Sequence, residues 1–399
     1  MQFTGLPIIN IQADEEFSTL DTLVYSEIID PYYDERNSEQ YIQTNANMHI
    51  RGHSSRAYAK NAFKYEMIKE DGDNRKKNLF GMRKDDDWVL DALYCDPSNI
   101  RNVLCCDLWN EINSMETTND YDIDLESEFV EVFINDKYAG IYVLKEPVDA
   151  KQVGIEKEIS KDILVKGYSY NANYKTEESF ENINVQDGTA YDIFKLIYPK
   201  DSTDEIIESN FRNFLEKINQ KFDLSIGITY EYLKKNFNLN NIIDYDILVN
   251  FVKGWDNFST NNVFFYLDET GKIVNIPWDM DMSFGLAWGN EELNPTTNAA
   301  YIYEYQNVEQ VCTMYYNQDD LGEYNNKVKE RYNYLRQNIL SYDNVEKICN
   351  NYKTLLLESG AYERDRNLYY NYDLEKEIED ILSWCEKRID YLDKVTISI

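Results

Sequence analysis

One stretch of this chain carries the residue types that phosphoryl transfer needs, in a workable order. Residues 255–285 read W-D-N-F-S-T-N-N-V-F-F-Y-L-D-E-T-G-K-I-V-N-I-P-W-D-M-D-M-S-F-G. An apolar-faced helix is expected to end at Gly254, with Asp256 on the loop beyond it and Asn261 five residues on. A hairpin is predicted next, Val263–Leu267 and Ile273–Trp278 around an Asp268-Glu269-Thr270-Gly271 turn, and its exit carries Asp279 and Asp281. A loop aspartate can accept the proton of an attacking hydroxyl, while an amide and a second carboxylate hold a Mg²⁺ (or Mn²⁺) that bridges phosphates. The hairpin returns the chain so that Asp279 can approach Asp256. Asp281 ranks behind Asp279, because in an extended chain it lies ~6.5 Å further along the same face. Asp and Asn also cap turns for purely local reasons. The D-x-x-x-x-N spacing gains weight only from the helix before it and the hairpin with D-x-D after it.

Helix, D-x-x-x-x-N, hairpin, Asp is the order used by protein-kinase-like phosphotransferases. The elements that must position a nucleotide would then precede it. The alternating strand at 62–69 holds Lys64, with Lys60 just before it, and either could reach phosphates or lie solvated at the surface. A helix from Asp96-Pro97-Ser98 to about Ile112, with Ser98 as its cap, offers Asp107 and Glu111 as ion-pair partners for that lysine. Strands at Phe129–Ile134 and Gly140–Lys145 are joined by Asn135-Asp136-Lys137, and the second runs into Glu146-Pro147, where backbone groups would meet adenine. Neither G-x-G-x-x-G nor G-x-x-x-x-G-K-[ST] occurs. The segment Arg51-Gly52-His53-Ser54-Ser55 is the alternative phosphate cover, its Arg51, Ser54 and Ser55 suited to phosphate oxygens, unless it is a plain strand-to-strand loop.

The frame follows from the rest of the 399 residues. A strand-rich front with one helix and a mainly helical back with one hairpin predict an α+β, bilobal fold with a cleft: 1–150 as a β-rich lobe, 151–399 as a helical lobe. Three helices are expected near 325–341, 343–358 and 373–394. Forty Lys and Arg against 73 Asp and Glu leave a net charge of −33, which repels nucleic acid and favours cations or basic partners. Two histidines, His49 and His53, exclude a His-rich metal site. Six cysteines without zinc spacing read as buried thiols in a reducing or anaerobic setting. No run is long enough to span a membrane, and Met1 opens onto no signal-peptide pattern.

The chain resembles the spore coat protein H (CotH) family of atypical kinases. The resemblance rests on R-G-x-S-S at Arg51–Ser55, W-V-L-D-A-L-Y-C-D at Trp88–Asp96, I-R-N at Ile100–Asn102 and Y-A-G-I-Y-V-L-K-E at Tyr138–Glu146. It continues through W-D-N-F-S-T-N-N at Trp255–Asn262 and I-P-W-D-M-D-M-S-F-G at Ile276–Gly285. It implies a kinase-like fold and Mg-ATP-dependent phosphorylation of protein Ser/Thr, with Ser-rich, Lys/Arg-rich coat proteins as one substrate class. Asp256 would be the catalytic-loop aspartate and Asp279 the metal aspartate. His53 stands where the family usually has Asn, and Asn61 replaces the second of two adjacent lysines, which favours Lys64. Acidic residues on either side of the catalytic segment (Asp244, Asp246, Glu291, Glu292, Asp319, Asp320) fit a basic Ser-rich substrate. A non-catalytic coat scaffold and AMP transfer are the competing readings. The family's extracellular or spore-surface setting and the unpatterned cysteines point to different compartments.

Overall fold

The computed structural model describes residues 5–52, 54–115, 123–155, 162–167, 189–190, 194–199, 205–222, 229–257, 261–287, 292–297, 299–301, 309–311, 322–369 and 372–397. The fold is α+β, with sheet-rich and helical parts, and it divides into two compact units. One comprises Met1–Cys106, Leu125–Pro147 and Glu346–Asp380; the other comprises Asp107–Asp124, Val148–Val345 and Ile381–Ile399. No described helix is long and apolar enough to cross a membrane.

The first unit is built on a closed barrel of seven strands: β1 (Ile8–Ala13), β2 (Thr22–Ile29), β3 (Tyr41–Ile50), β4 (Phe63–Ile68), β5 (Asp87–Asp91), β6 (Ser127–Ile134) and β7 (Lys137–Lys145). Its order is β1-β2-β3-β4-β5-β7-β6, and β6 closes it by pairing in parallel with β1, Ile8 to Ile11 against Glu131 to Ile134. Closure leaves no edge strand to template aggregation. Alternation does the rest: Val24 and Ile28, Phe63, Tyr65 and Met67, and Trp88 and Leu90 point inward to a common core. The β6–β7 turn has Asn135 and Asp136 both at positive φ, the geometry of a two-residue hairpin that suits the twist of its strands.

Lys60 is the least expected member of this unit. Its side chain is 0% exposed, and its Nζ donates to Asp365 Oδ1 at 2.8 Å and to the Ile141 carbonyl, beneath the rings of Tyr142 and Tyr369. Asp365 lies on Ala361–Tyr369, a helix absent from the sequence-based expectation, and also accepts the Ile141 N–H at 2.8 Å. Burial pulls the Lys60 ammonium down and Asp365 opposes that pull. Gly140 makes room at φ +116, since a Cβ there would sit 2.3 Å from Asp365 Oδ1. Removing one partner strands a buried charge, so Asp365→Ala should cost about 3–5 kcal/mol, read as a lowered denaturant midpoint. A shift within about 0.5 kcal/mol of wild type would mean the pair is not sealed from water.

The predicted helix at Ser98 begins three residues later, as Arg101–Ser114. Asp96 is the reason. Its carboxylate accepts the Arg101 N–H at 2.7 Å and the Ser98 N–H at 3.0 Å, holding Pro97-Ser98-Asn99 in a turn before the helix starts.

The second unit carries a five-stranded antiparallel sheet in the order Thr189–Ala190, β9 (Phe194–Tyr198), β8 (Ile163–Gly167), β10 (Val263–Leu267), β11 (Ile273–Pro277). β10 and β11 form the predicted hairpin, with Gly271 at φ +78 closing the Asp268–Gly271 turn. The helix Leu239–Val252 is buried on nearly all sides, not along one stripe. It is pinned to β11 by a reciprocal amide pair: Asn241 Nδ2 donates to the Asn275 carbonyl and Asn275 N–H donates to Asn241 Oδ1. Among the described residues the closing helices are Gly322–Leu335, Tyr342–Glu358, Ala361–Tyr369 and Leu374–Ile397, four where three were expected. Cys105, Cys106, Cys349 and Cys385 are buried and Cys95 is half-buried, while Cys312 lies outside the described residues.

Candidate active site

The site in the second unit is assembled at the end of helix 239–252. Lys253 turns left-handed at φ +49 and Gly254 N–H returns to the Val249 carbonyl, a helix stop that releases the chain into the loop. A Cβ at Gly254 would meet Asn257 Oδ1 at 2.8 Å, so any larger residue there would have to displace the Asn257 amide. Asn257, 1% exposed, is the staple of the loop. Its Nδ2 donates to the carbonyls of Asn262 (2.9 Å) and Trp278 (2.8 Å), and its own carbonyl accepts the Tyr245 hydroxyl at 2.8 Å. The entry and exit of the hairpin are thereby held against the residue that follows Asp256. Two main-chain bonds repeat the link, Trp255 N–H to Met282 O at 2.7 Å and Phe284 N–H to Val252 O at 2.8 Å.

Asp256 and Asp279 consequently lie close enough for the charge of one to act on the other. Enclosure by protein, and then the neighbouring Asp279 charge, push the Asp256 carboxyl up to about 7 from an ordinary 3.8. Asn262 sits with them: its Nδ2 donates to Asp256 Oδ2 at 3.2 Å and, more weakly, reaches the Asp279 carbonyl at 3.4 Å. Asn262 and Asp279 are both left-handed, at φ +49 and +56, a conformation that Asn and Asp tolerate better than other side chains. Two carboxylates and an amide oxygen are hard donors, the kind that suit Mg²⁺ or Mn²⁺ completed by phosphate oxygens. Among the described residues no group of three or more His, Cys, Asp or Glu could hold a metal ion, so any cation here needs amide or ligand oxygens as well.

The amide that sequence spacing selected is Asn261, buried at 8% exposure; the one bonded to Asp256 is its neighbour Asn262. The signal was present in the Asn-Asn pair, since a left-handed residue at the entrance of a hairpin favours Asn. Asp281 is half-buried, and its Oδ1 caps its own turn by accepting the Met282 N–H. The chain is not extended between the two aspartates, because Asp279 is left-handed and Ser283 N–H bonds the Asp281 carbonyl. Of the flanking acids, Asp244 is 1% exposed and paired with Arg331 at 2.7 Å, and Asp246 accepts the Tyr324 hydroxyl. Glu292 is exposed; Glu291, Asp319 and Asp320 lie outside the described residues.

The nucleotide candidates belong to the first unit. Arg51 follows β3, with its N–H on the Ala62 carbonyl; burial pushes the Asp91 carboxyl up, and the charges of Lys145 and then Arg51 help bring it down. Gly52 is required at φ +100, where a Cβ would collide with Ser55 Oγ at 2.0 Å. His53 and the Ser54 side chain lie outside the described residues. Lys64 keeps a third of its side chain exposed on the outer barrel face, 3.0 Å from Asp87 and 3.6 Å from Glu66. Glu146 is buried; its carboxylate accepts the Arg83 N–H at 2.7 Å and its own N–H is taken by the Glu126 carbonyl. The expected lysine partners Asp107 and Glu111 fall in the other unit, where Glu111 Oε2 accepts from Asn344 at 2.6 Å. Lys60 pairs with Asp365, and Lys64 with Asp87 and Glu66.

Residues 48–392 match the family model described as CotH kinase protein, and the chain belongs to that family. It is also 24% identical over 198 residues to the inner spore coat protein H of Bacillus subtilis (strain 168). The alignment covers 49% of this chain and 49% of that protein, so the match spans about half the length of the curated relative.

Proposed function

We propose that the chain is a Mg²⁺- or Mn²⁺-dependent protein kinase of bilobal, kinase-like architecture that moves the γ-phosphate of ATP to Ser or Thr of basic, Ser-rich proteins. The observation that carries this reading is the meeting of Asp256, Asn262 and Asp279 on one loop and hairpin. Asp256 takes the proton of the acceptor hydroxyl, from the position in which Asn262 holds its carboxylate. Asn262 fixes the orientation of Asp256 through its Nδ2 and leaves its Oδ1 for a cation; Asp279 is the principal cation ligand, with Asn261 and Asp281 behind it. When bound, Mg²⁺ would neutralise phosphate oxygens and the charge that develops during transfer. Arg51, Ser54, Ser55 and Lys64 are the proposed phosphate contacts. Lys60, with no exposed side-chain surface, serves the barrel.

Membership of the CotH family and the name of the relative support kinase chemistry and a spore-coat setting for this chain. The substrate class rests on charge. A protein at −33 draws Lys- and Arg-rich chains toward it, an attraction that salt screens over ~8 Å at physiological ionic strength. Serine peptides of equal length that differ only in charge should gain phosphate with kcat/KM rising with positive charge. That advantage should shrink between ~50 and ~500 mM salt. Equal rates for acidic and basic peptides at low salt would overturn the preference, and no phosphate on any peptide or basic protein would count against the kinase reading.

Asn262→Ala separates the two asparagines. It should cost turnover ~10-fold or more through loss of Asp256 orientation, while Asn261→Ala costs less. The reverse ranking, read in the same assay, would restore Asn261 as the amide of the site.

A further inference from the structure

The chain beyond the D-x-D segment is bound down by two cations that the chemistry above does not use. Arg388, 1% exposed on helix Leu374–Ile397, donates from Nε and Nη2 to the Asn250 carbonyl at 3.0 and 2.8 Å. Asn250 belongs to the last turn of the helix that delivers Asp256, where carbonyls run out of helical partners. The same guanidinium donates from Nη1 to the carbonyls of Pro295 (3.0 Å) and Thr297 (2.8 Å). Lys253, 2% exposed and three residues before Asp256, donates to the Asn294 carbonyl at 2.7 Å and to Thr297 Oγ1 at 2.9 Å. Trp384, one turn before Arg388, donates from Nε1 to the Leu293 carbonyl at 2.6 Å. Its indole covers Gly285, where a Cβ would sit 2.9 Å from the ring, and packs edge-on against Phe284. Leu293 N–H closes the loop on the Gly285 carbonyl at 2.8 Å.

Burying a guanidinium and an ammonium is costly unless their N–H groups are met. Here they are met by main-chain carbonyls and the Thr297 hydroxyl, from two places: the end of the Asp256 helix and the segment that follows Asp279. The fork geometry of Arg suits such a bridge, and Lys cannot reproduce it. We infer that Arg388, together with Lys253 and Trp384, forms a positioning clamp that holds the Asp256 loop and the Asp279 loop in register, so that the metal-binding geometry is set from the C-terminal helix. The inference rests on the kinase reading for its consequences in metal binding and catalysis. The clamp itself is a property of the fold.

The test compares wild type with Arg388→Lys, Arg388→Ala and, as a variant that spares the cations, Trp384→Phe. Amide hydrogen exchange of 252–256 and 279–286 should accelerate in all three while residues 239–249 keep their protection. Mn²⁺ affinity, followed by paramagnetic resonance of free Mn²⁺ in the absence of nucleotide, should fall ~10-fold or more, as for other residues that orient metal ligands. Guanidinium ion at millimolar concentration should restore Mn²⁺ binding to Arg388→Ala and not to Trp384→Phe. Unchanged exchange and unchanged Mn²⁺ affinity in folded Arg388→Lys and Trp384→Phe would overturn the clamp, whatever the melting temperatures do. Exchange needs no turnover, so a wild type that transfers no phosphate would count against the kinase reading and leave the clamp to be decided by its own data.

Discussion

Replacing Asp256 by Asn should lower turnover by ~10² or more, the usual worth of a positioned general base, while nucleotide affinity barely moves. The same substitution should stabilise the metal-free protein at high pH. Asp256 is held near pH 7 in the folded chain, against 3.8 for an ordinary aspartate, by enclosure first and by Asp279 second. Between those two values the native chain keeps a proton that the unfolded chain has released, so wild-type stability falls as pH rises through about 4 to 7. A shift of about three units corresponds to roughly 4 kcal/mol at full effect. Asn carries no such charge. Asp256→Asn should therefore match wild type near pH 4 and exceed it at pH 8, by roughly 2–4 kcal/mol in denaturant unfolding with chelator present. Mg²⁺ should shrink the difference by stabilising the ionised pair. Equal stabilities at pH 8 would show that the two carboxylates do not repel. Weak ATP binding with normal turnover at saturation would move Asp256 into the metal shell.

Asp279 offers the larger loss. In the proposed site its loss leaves a cation no principal carboxylate, and a triphosphate would approach a chain of charge −33 with its own charge unneutralised. Metal-dependent ATP binding should disappear, and turnover should fall on the order of 10³-fold, equivalent to about 4 kcal/mol of transition-state stabilisation. The fold should survive, because what Asp279 gives the loop is its carbonyl, which accepts from Asn262. Its left-handed backbone makes the choice of replacement matter. Asp279→Asn should lose activity without strain, whereas Asp279→Ala adds about 1–2 kcal/mol of left-handed cost and a lower Tm. Wild-type turnover in Asp279→Asn would remove it from the metal site.

The sequence made the local part of this architecture legible. The hairpin from Val263 to Pro277 and the Asn135-Asp136 turn follow from alternation and turn residues, and the approach of Asp256 to Asp279 follows from the hairpin. What escaped depends on contacts distant along the chain. The parallel β1–β6 pairing that closes the barrel joins residues more than a hundred positions apart. The short, charged helix 361–369 has little apolar periodicity to announce it, yet it supplies Asp365, 305 residues from Lys60. Lys60 therefore reads in sequence as a phosphate-binding or solvated cation and is an internal one in the fold. Asn261 and Asn262 are separated only by backbone conformation. Counting D-x-x-x-x-N selects the first, and a left-handed turn aims the second at Asp256.

The most direct measurement incubates the protein with Mg²⁺, a basic Ser-rich protein and ATP labelled at either the α- or the γ-phosphate, with Asp256→Asn and Asp279→Asn alongside. Label on the acceptor from γ alone, requiring Mg²⁺ and nearly lost in both variants, is the result expected of a kinase. Label from α alone would make the site a nucleotidyl transferase. Label from neither position, with ATP bound or not, would contradict catalysis and leave a scaffold on this fold.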